Sequence, residues 1–255
     1  MSTLILSVDI GNTNTHAGLI DRDALACGGS DVFPTTDLAG RLCPSLASLV
    51  PKGAQTQTLP VIICSVVKVD RAAIADTLVA SDFRAPVWFE YSGTFPISVA
   101  YNDPRTLGVD RLADCLYCRA AYPEQSRIII DAGTTITVDY LANGREFSGG
   151  AILPGIATQF KSLHEHTSAL PTVNLDESAT EFPGRSTKSA MTTGVIYGSA
   201  GALSFLVDRY RKQFGGAPVL VTGGAWKQVE GLVTFEFEYV KEMTLIGTGL
   251  FGTAV

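Results

Sequence analysis

The sequence predicts an α/β protein made of two copies of one mixed-sheet unit flanked by helices, with a cleft between the copies. Three observations lead there. The stretch "VDIGNTNT" (Val8–Thr15) leaves an apolar run through an acid, a glycine, an amide and threonines, and "IDAGTTIT" (Ile130–Thr137) does nearly the same. In each half strands come first, then helix and strand alternate, as a duplicated α/β domain requires. Composition agrees: 255 residues suffice for one large or two ordinary domains, and 46% apolar with 17% charged residues fits a packed core.

The elements follow in order. "LILSVDIGNT" is rich in Leu, Ile and Val without strict alternation, as a strand buried on both faces would be. "THAGLIDRD" reads as its antiparallel partner. Residues 38–50 carry helical periodicity that stops near Pro51, and "VIICSVV" (Val61–Val67) is a second buried strand. A helix over Arg71–Ser81 and a strand at Val87–Tyr91 follow. "YSGTFPISVAYNDPRTLG", with two prolines and two glycines, reads as the connection between the halves.

The second half opens with a helix over Asp110–Ala121. "RIIIDAGTTITVDYL" is then strand, turn, strand, and "EFSGGAILPG" a third strand. A helix over Ile156–Leu163, loop chemistry from Ser168 to Ser186, a long helix over Ser189–Phe214, a strand at Pro218–Thr222, a short helix and a closing strand–helix pair complete the chain. The predicted domains are 1–104 and 105–255. Clefts between such halves are common ligand sites.

Composition also excludes. A net charge of −6 with no Lys/Arg cluster argues against a nucleic-acid surface. The apolar start meets Asp9 at once and has no basic leader, which argues against a signal peptide. No uninterrupted apolar run has the length of a bilayer span, so no membrane partner is expected and the reading is cytoplasmic. Five scattered cysteines make no disulfide framework. Cys115-x-x-Cys118 lies on one helical face and reads as core, because no second Cys/His pair completes a zinc site. His164 and His166, two apart on a helix, point different ways and read as solvated.

Aligned, the turns are Asp9-x-Gly11-Asn12-Thr13-x-Thr15 and Asp131-x-Gly133-Thr134-Thr135-x-Thr137. Glycine leaves backbone N–H groups uncovered, and threonine and asparagine add neutral donors, so an anionic oxygen can approach. An aspartate beside phosphate is repulsive unless a cation lies between, and Mg²⁺ favours carboxylates and phosphate oxygens while keeping its water. One such turn is readily a hairpin whose side chains satisfy local backbone. Two at equivalent positions point to a phosphate cleft. No G-x-x-x-x-G-K-[ST] occurs, and the G-x-G-x-x-G at Gly247, Gly249 and Gly252 has no room for a βαβ unit, so close helix packing is expected there.

These paired turns resemble the acetate and sugar kinase/Hsc70/actin superfamily, whose domains are ribonuclease H-like (actin-like ATPase). The resemblance tightens on the type III pantothenate kinase family, which includes Bvg accessory factors. "DIGNTNTHAGLI", "ISVAYNDPRTLGVDRLAD", "DAGTTITVD", "SGGAILPGI", "SALPTV", "STKSAMTTGVIYG" and "LIGTGLFG" run in family order. The resemblance implies ATP-dependent phosphorylation of pantothenate to 4'-phosphopantothenate, the first step of coenzyme A biosynthesis. It implies an ATP-phosphate loop of Asp9, Ile10, Gly11, Asn12, Thr13, Asn14, Thr15 and His16, joined by Thr134. Tyr101, Gly108, Val109, Asp110, Arg111 and Thr187 match pantothenate-contacting positions, with Asp110 as catalytic base. Asp131 matches the holder of a monovalent cation, K⁺ or NH₄⁺, and Asp9 would meet Mg²⁺ through water. A homodimer is implied as well.

Asp110 also has a chemical argument of its own. A primary alcohol is a poor nucleophile at neutral pH, and a carboxylate that accepts its hydrogen bond orients the oxygen and takes the proton. Arg111 beside it orients the acid or meets substrate oxygen. Read structurally, "GVDRLAD" is a helix start with Asp110 as a first-turn acid, and both roles are compatible. Thr135 stands where the family more often has a small apolar residue, and the family varies at His16 and Ala17. The competing function is an accessory protein that keeps nucleotide binding without useful catalysis. A kinase for another small hydroxylated acid or sugar ranks below it, since sugar kinases of the superfamily lack the companion motifs.

Overall fold

β1 (Leu4–Ile10) is covered on both faces: Ile5, Leu6, Val8 and Ile10 are fully buried, and so is Ser7 between them. It pairs antiparallel with β2 (Asn14–Asp21), from Ile10↔Thr15 back to Leu4↔Asp21, and parallel with β4 (Val61–Ser65). β3 (Ala26–Pro34) lies outside β2 and β5 (Val87–Trp88) outside β4, giving the order β3-β2-β1-β4-β5. The sequence reading does not find β3. Its "ACGGSDVFP" has two glycines and buries only Phe33, the pattern of an edge strand that pairing, not propensity, holds in place. The structure is a computed structural model that describes residues 4–174 and 181–252.

α1 (Leu38–Leu49) packs on β2 and β3 through Leu42 and Leu46, and tolerates Pro44 inside it. α2 (Arg71–Ala80) begins where the Asp70 carboxylate accepts from the Ala73 N–H at 3.1 Å. The second sheet has the order β11-β10-β7-β8-β9-β6. Its strands are β6 (Ser98–Val99), β7 (Arg127–Ala132), β8 (Thr135–Ala142), β9 (Glu146–Pro154), β10 (Val219–Thr222) and β11 (Phe237–Tyr239). Leaving out the two-residue β6, the order repeats that of the first sheet: third, second, first, fourth, fifth. The β7–β10 and β10–β11 pairs are parallel, as are β1–β4 and β4–β5. The predicted duplicated α/β fold is therefore present.

Packing groups the chain differently from the repeat. One compact unit comprises Met1–Gln125, Leu141–Gly149 and Glu242–Val255; the other comprises Ser126–Tyr140 and Gly150–Lys241. The first takes in α3 (Val109–Ala121), expected to open the second half, because α3 packs against α6 (Met243–Gly249) and β4. α3 and α6 meet backbone to backbone: a Cβ on Gly247 would lie 1.8 Å from Ala113 O. α6 is also tied to β1 by Ser7 Oγ, which donates to Leu245 O at 2.8 Å, and Arg22 donates to Gly249 O and Phe251 O beyond it. Gly247 thus serves close helix packing, as expected, whereas Gly249 packs on Ile20 of β2 and Gly252 has open space around it and a φ of +76°.

In the second unit, α4 (Ile156–Glu165) and α5 (Thr187–Phe214) pack on each other. α5 starts at a reciprocal Ser186–Ser189 capping box. By length and mean hydropathy, 1.4, α5 has the composition of a membrane span, which the core helix of a globular protein also has, and it contains charged residues. Small Gly, Ala and Ser residues keep its apolar stretch mild. Met191, Val195, Ile196, Ala200, Leu203 and Val207 bury one face of it, as in the core helix of a globular unit. Cys115 and Cys118 are buried and in no disulfide among the described residues, and His164 and His166 are exposed, as expected. The predicted loop from Ser168 to Ser186 includes residues 175–180, which lie outside the described residues.

Candidate active site

The first turn spans Gly11–Thr13, between the end of β1 and the start of β2. The Gly11 N–H donates to Asn14 O at 3.0 Å, and a Cβ on Gly11 would crowd that same oxygen at 2.9 Å. Thr35 closes the turn from outside: its N–H donates to Thr13 O at 2.9 Å and its hydroxyl to Gly11 O at 2.8 Å. Thr15 is fully buried, with its hydroxyl 3.1 Å from that of Thr35. Asn12, Thr13 and Asn14 are exposed at the tip. Ile10 is fully buried, so any ligand contact it makes is through its backbone.

Asp9 faces His16 in the β1–β2 register and Cys64 in the β1–β4 register. His16 is half-buried, with Nδ1 3.9 Å from the Glu242 carboxylate. Burial holds its imidazole below the ordinary range, against the pull of Glu242.

The acid is mounted at the start of α3. Gly108 is the N-cap, and Asp110 and Arg111 lie in the first turn. The Asp110 carboxylate folds back to accept from the Arg111 N–H at 2.8 Å. This curl explains Gly108, because a Cβ there would lie 2.5 Å from Asp110 Oδ1. Burial pushes the Asp110 carboxyl above the usual carboxylate range, while the Arg111 N–H and guanidinium pull it back. Arg111 is itself buried; Nη1 donates to the Tyr101 hydroxyl at 3.3 Å, and its guanidinium lies 5.1 Å from the Phe147 ring centre. The Tyr101 ring meets Phe147 edge-on at 5.5 Å.

Cys64 is the register partner of Asp9 and is fully buried. Its thiol is raised well above the ordinary range, by burial first and then by the carboxylates of Asp9, Asp110 and Asp114. All three belong to the first unit, although Asp9 lies far from the other two in the chain.

The sequence reading missed two residues of this cluster. Asp114 is buried one helical turn after Asp110 and accepts from Thr244 Oγ1 of α6 at 2.9 Å. Its only sequence signal is the four-residue spacing in "VDRLAD". Cys64 gives none beyond its place in an apolar strand.

The second turn, Gly133–Thr134, lies in the second unit. The Gly133 N–H donates to Thr135 O at 2.9 Å, the Gly155 N–H to Thr134 O at 3.0 Å and Thr158 Oγ1 to Thr134 O at 2.7 Å. Asp131 is half-buried at the end of β7 and pairs in register with Thr222 of β10; Thr134 is exposed. Thr187 is exposed at the first position of α5. Tyr101, Gly108, Val109, Asp110 and Arg111 join the first turn's unit, whereas Asp131, Thr134 and Thr187 belong to the second.

A family model described as type III pantothenate kinase matches residues 5–209. The chain belongs to the type III pantothenate kinase family. A type III pantothenate kinase from Chlorobaculum tepidum is 34% identical over 229 residues, covering 86% of this chain and 82% of the relative. Solved structures share the fold at lower identity. The activator of the 2-hydroxyisocaproyl-CoA dehydratase from Clostridium difficile, solved with ADPNP, aligns with a TM-score of 0.56 at 14% identity, over 97% of this chain and 93% of that one. The inorganic polyphosphate/ATP-glucomannokinase from Arthrobacter sp. strain KM aligns at 0.52 and 15% identity, over 97% of both chains. The predicted actin-like class of duplicated domains holds for this family member.

Proposed function

We propose that this protein transfers the γ-phosphoryl group of ATP to the primary alcohol of pantothenate, forming 4'-phosphopantothenate at the start of coenzyme A biosynthesis. Membership of the family supports the reaction. The observation that carries the site is the mounting of Asp110 at the start of α3, where its carboxylate accepts from the Arg111 N–H at 2.8 Å beside a guanidinium that donates to Tyr101. Asp110 serves as the base: it accepts the hydroxyl hydrogen bond, aligns the oxygen and takes the proton as transfer proceeds. Arg111, seated by Tyr101, contacts acceptor oxygens. The backbone N–H groups and side chains of residues 9–16, with Thr134, hold the phosphates, and Gly108, Val109 and Thr187 complete the pantothenate contacts.

The donor set fits Mg²⁺ held through water. Among the described residues no group of three His, Cys, Asp or Glu side chains is spaced to hold a metal ion directly. Asp9, whose Oδ1 is buried, offers a carboxylate at the turn where phosphate would lie. When bound, Mg²⁺ neutralises charge on the phosphoryl oxygens. Asp131 is assigned the monovalent cation, K⁺ or NH₄⁺, on the family resemblance. On the same ground we read the protein as a cytoplasmic homodimer, and its repeat as 1–104 followed by 105–255. The acidic composition supports the expectation of no nucleic-acid partner.

The test is a purified-protein assay with ATP, Mg²⁺ and pantothenate, with and without K⁺. Pantothenate-dependent ATP consumption that needs both cations is expected. Nucleotide binding without turnover would instead favour the accessory-protein reading, which no feature of the site supports: every residue assigned to the chemistry is present.

A further inference from the structure

Arg111 is a long, flexible cation whose usefulness depends on where its flat guanidinium points. Two aromatic residues contact it. Phe147 of β9 is fully buried, and the guanidinium lies over its ring at 5.1 Å. Tyr101 packs edge-on against the same ring and accepts from Arg111 Nη1 at 3.3 Å. The backbone brings the pair together: β6 pairs with β9 at Val99↔Phe147, and the Ala100 N–H donates to Phe147 O at 3.0 Å, one residue before Tyr101. A ring face attracts a cation and, being rigid, fixes the plane in which the N–H fork lies. A fork held in one plane matches a carboxylate bidentately, which a wandering one does less often.

We propose that Phe147 is a positioning residue: together with Tyr101 it sets the direction of the Arg111 guanidinium, and through it the grip on the carboxylate end of the acceptor. The inference rests on reading the chain as a pantothenate kinase, whose acceptor carries such a carboxylate. Phe147 lies outside both turns and outside α3, and its side chain is fully buried. Substituting it leaves its backbone pairing with β6 in place, so the effect isolates the ring.

The experiment is steady-state kinetics on the full chain for the wild type, Phe147→Leu, Arg111→Ala and the double variant. Phe147→Leu should raise KM for pantothenate about ten-fold, with kcat and KM for ATP within about two-fold of wild type. In the Arg111→Ala background the same change should add less than about two-fold, because the group it positions is gone. Equal rises in both KM values, or an undiminished effect in the double variant, would overturn the inference. If Phe147→Leu does not fold, Phe147→Met, closer in volume and also without a π face, carries the same comparison. A wild type without pantothenate-dependent turnover overturns the functional reading and this inference together; an active wild type without the selective KM effect overturns the inference alone.

Discussion

The two aspartate-bearing turns share a residue pattern and are held by different means. The first is three residues long and is fastened by hydroxyls: Thr35 bonds Gly11 O and the Thr15 hydroxyl. The second is two residues long and, besides the Thr158 hydroxyl on Thr134 O, is wedged by close backbone: a Cβ on Gly155 would lie 2.3 Å from Gly133 O, and one on Gly223 2.4 Å from Ala132 O. One residue of turn length moves Thr13 into the turn while its counterpart Thr135 begins a strand. Even the equivalent inward threonines diverge. Thr15 has the Thr35 hydroxyl as partner, whereas Thr137 Oγ1 is buried with no hydrogen-bond partner among the described residues. A motif, then, specifies which groups line a turn, and its surroundings specify how rigidly they are held.

The largest test asks whether the chemistry belongs with the first turn's unit, where Asp110 sits, rather than with the second. Asp110→Asn should lower kcat by about 10²- to 10⁴-fold with the melting profile preserved, as a coupled kinase assay and calorimetry would show. Asp131→Asn should instead alter the dependence of rate on K⁺. The wild-type kcat/KM should have an acid limb above the ordinary carboxylate range, since burial raises the Asp110 carboxyl and only its ionised form is a base.

Next, Gly155→Ala should strain the second turn and cost about 1–3 kcal/mol in denaturant unfolding, because backbone oxygens that cannot swing aside occupy the space. A neutral outcome would break the contrast between the turns. Smaller and opposite effects separate the threonines. Thr35→Val should lose about 1 kcal/mol by stranding Gly11 O, while Thr137→Val, nearly isosteric, should be neutral or stabilising because it removes an unsatisfied buried hydroxyl.

The smallest effect is on stability against pH. Asp110 has a folded-state pKa above its ordinary 3.8. Its contribution is therefore fully present below that value and is lost as pH rises through the folded pKa, where the native state must ionise a buried acid. Asp110→Asn escapes this loss, so its stability minus that of wild type should increase from about pH 3.8 up to the raised folded pKa and then level off. A difference that falls with rising pH would contradict the burial of Asp110.

Much of the fold is legible because it follows local pattern. The apolar runs at Leu4–Ile10 and Arg127–Ala132 mark the central strands of both sheets, and the periodic stretch after Gly108 marks α3. β3 escapes because an edge strand with two glycines has little pattern of its own. α6 reads correctly as a helix, but nothing in "MTLIGTG" says that it returns to pack on β1 and α3. The site divides the same way. Asp9, Asp131 and Asp110 announce themselves through spacing and neighbours. Asp114, Cys64 and Phe147 do not, since each looks like ordinary core until its partners are known.

What the chain decides alone is therefore the kind and order of its elements, the two donor-rich turns and the acid at the head of α3, all set by interactions among neighbouring residues. Tertiary structure alone decides that Asp9, Asp110 and Asp114 all raise one buried thiol, that Phe147 lies under the Arg111 guanidinium, and that the last helix packs on α3. These depend on contacts between residues that only long-range packing brings together, and no local periodicity records them.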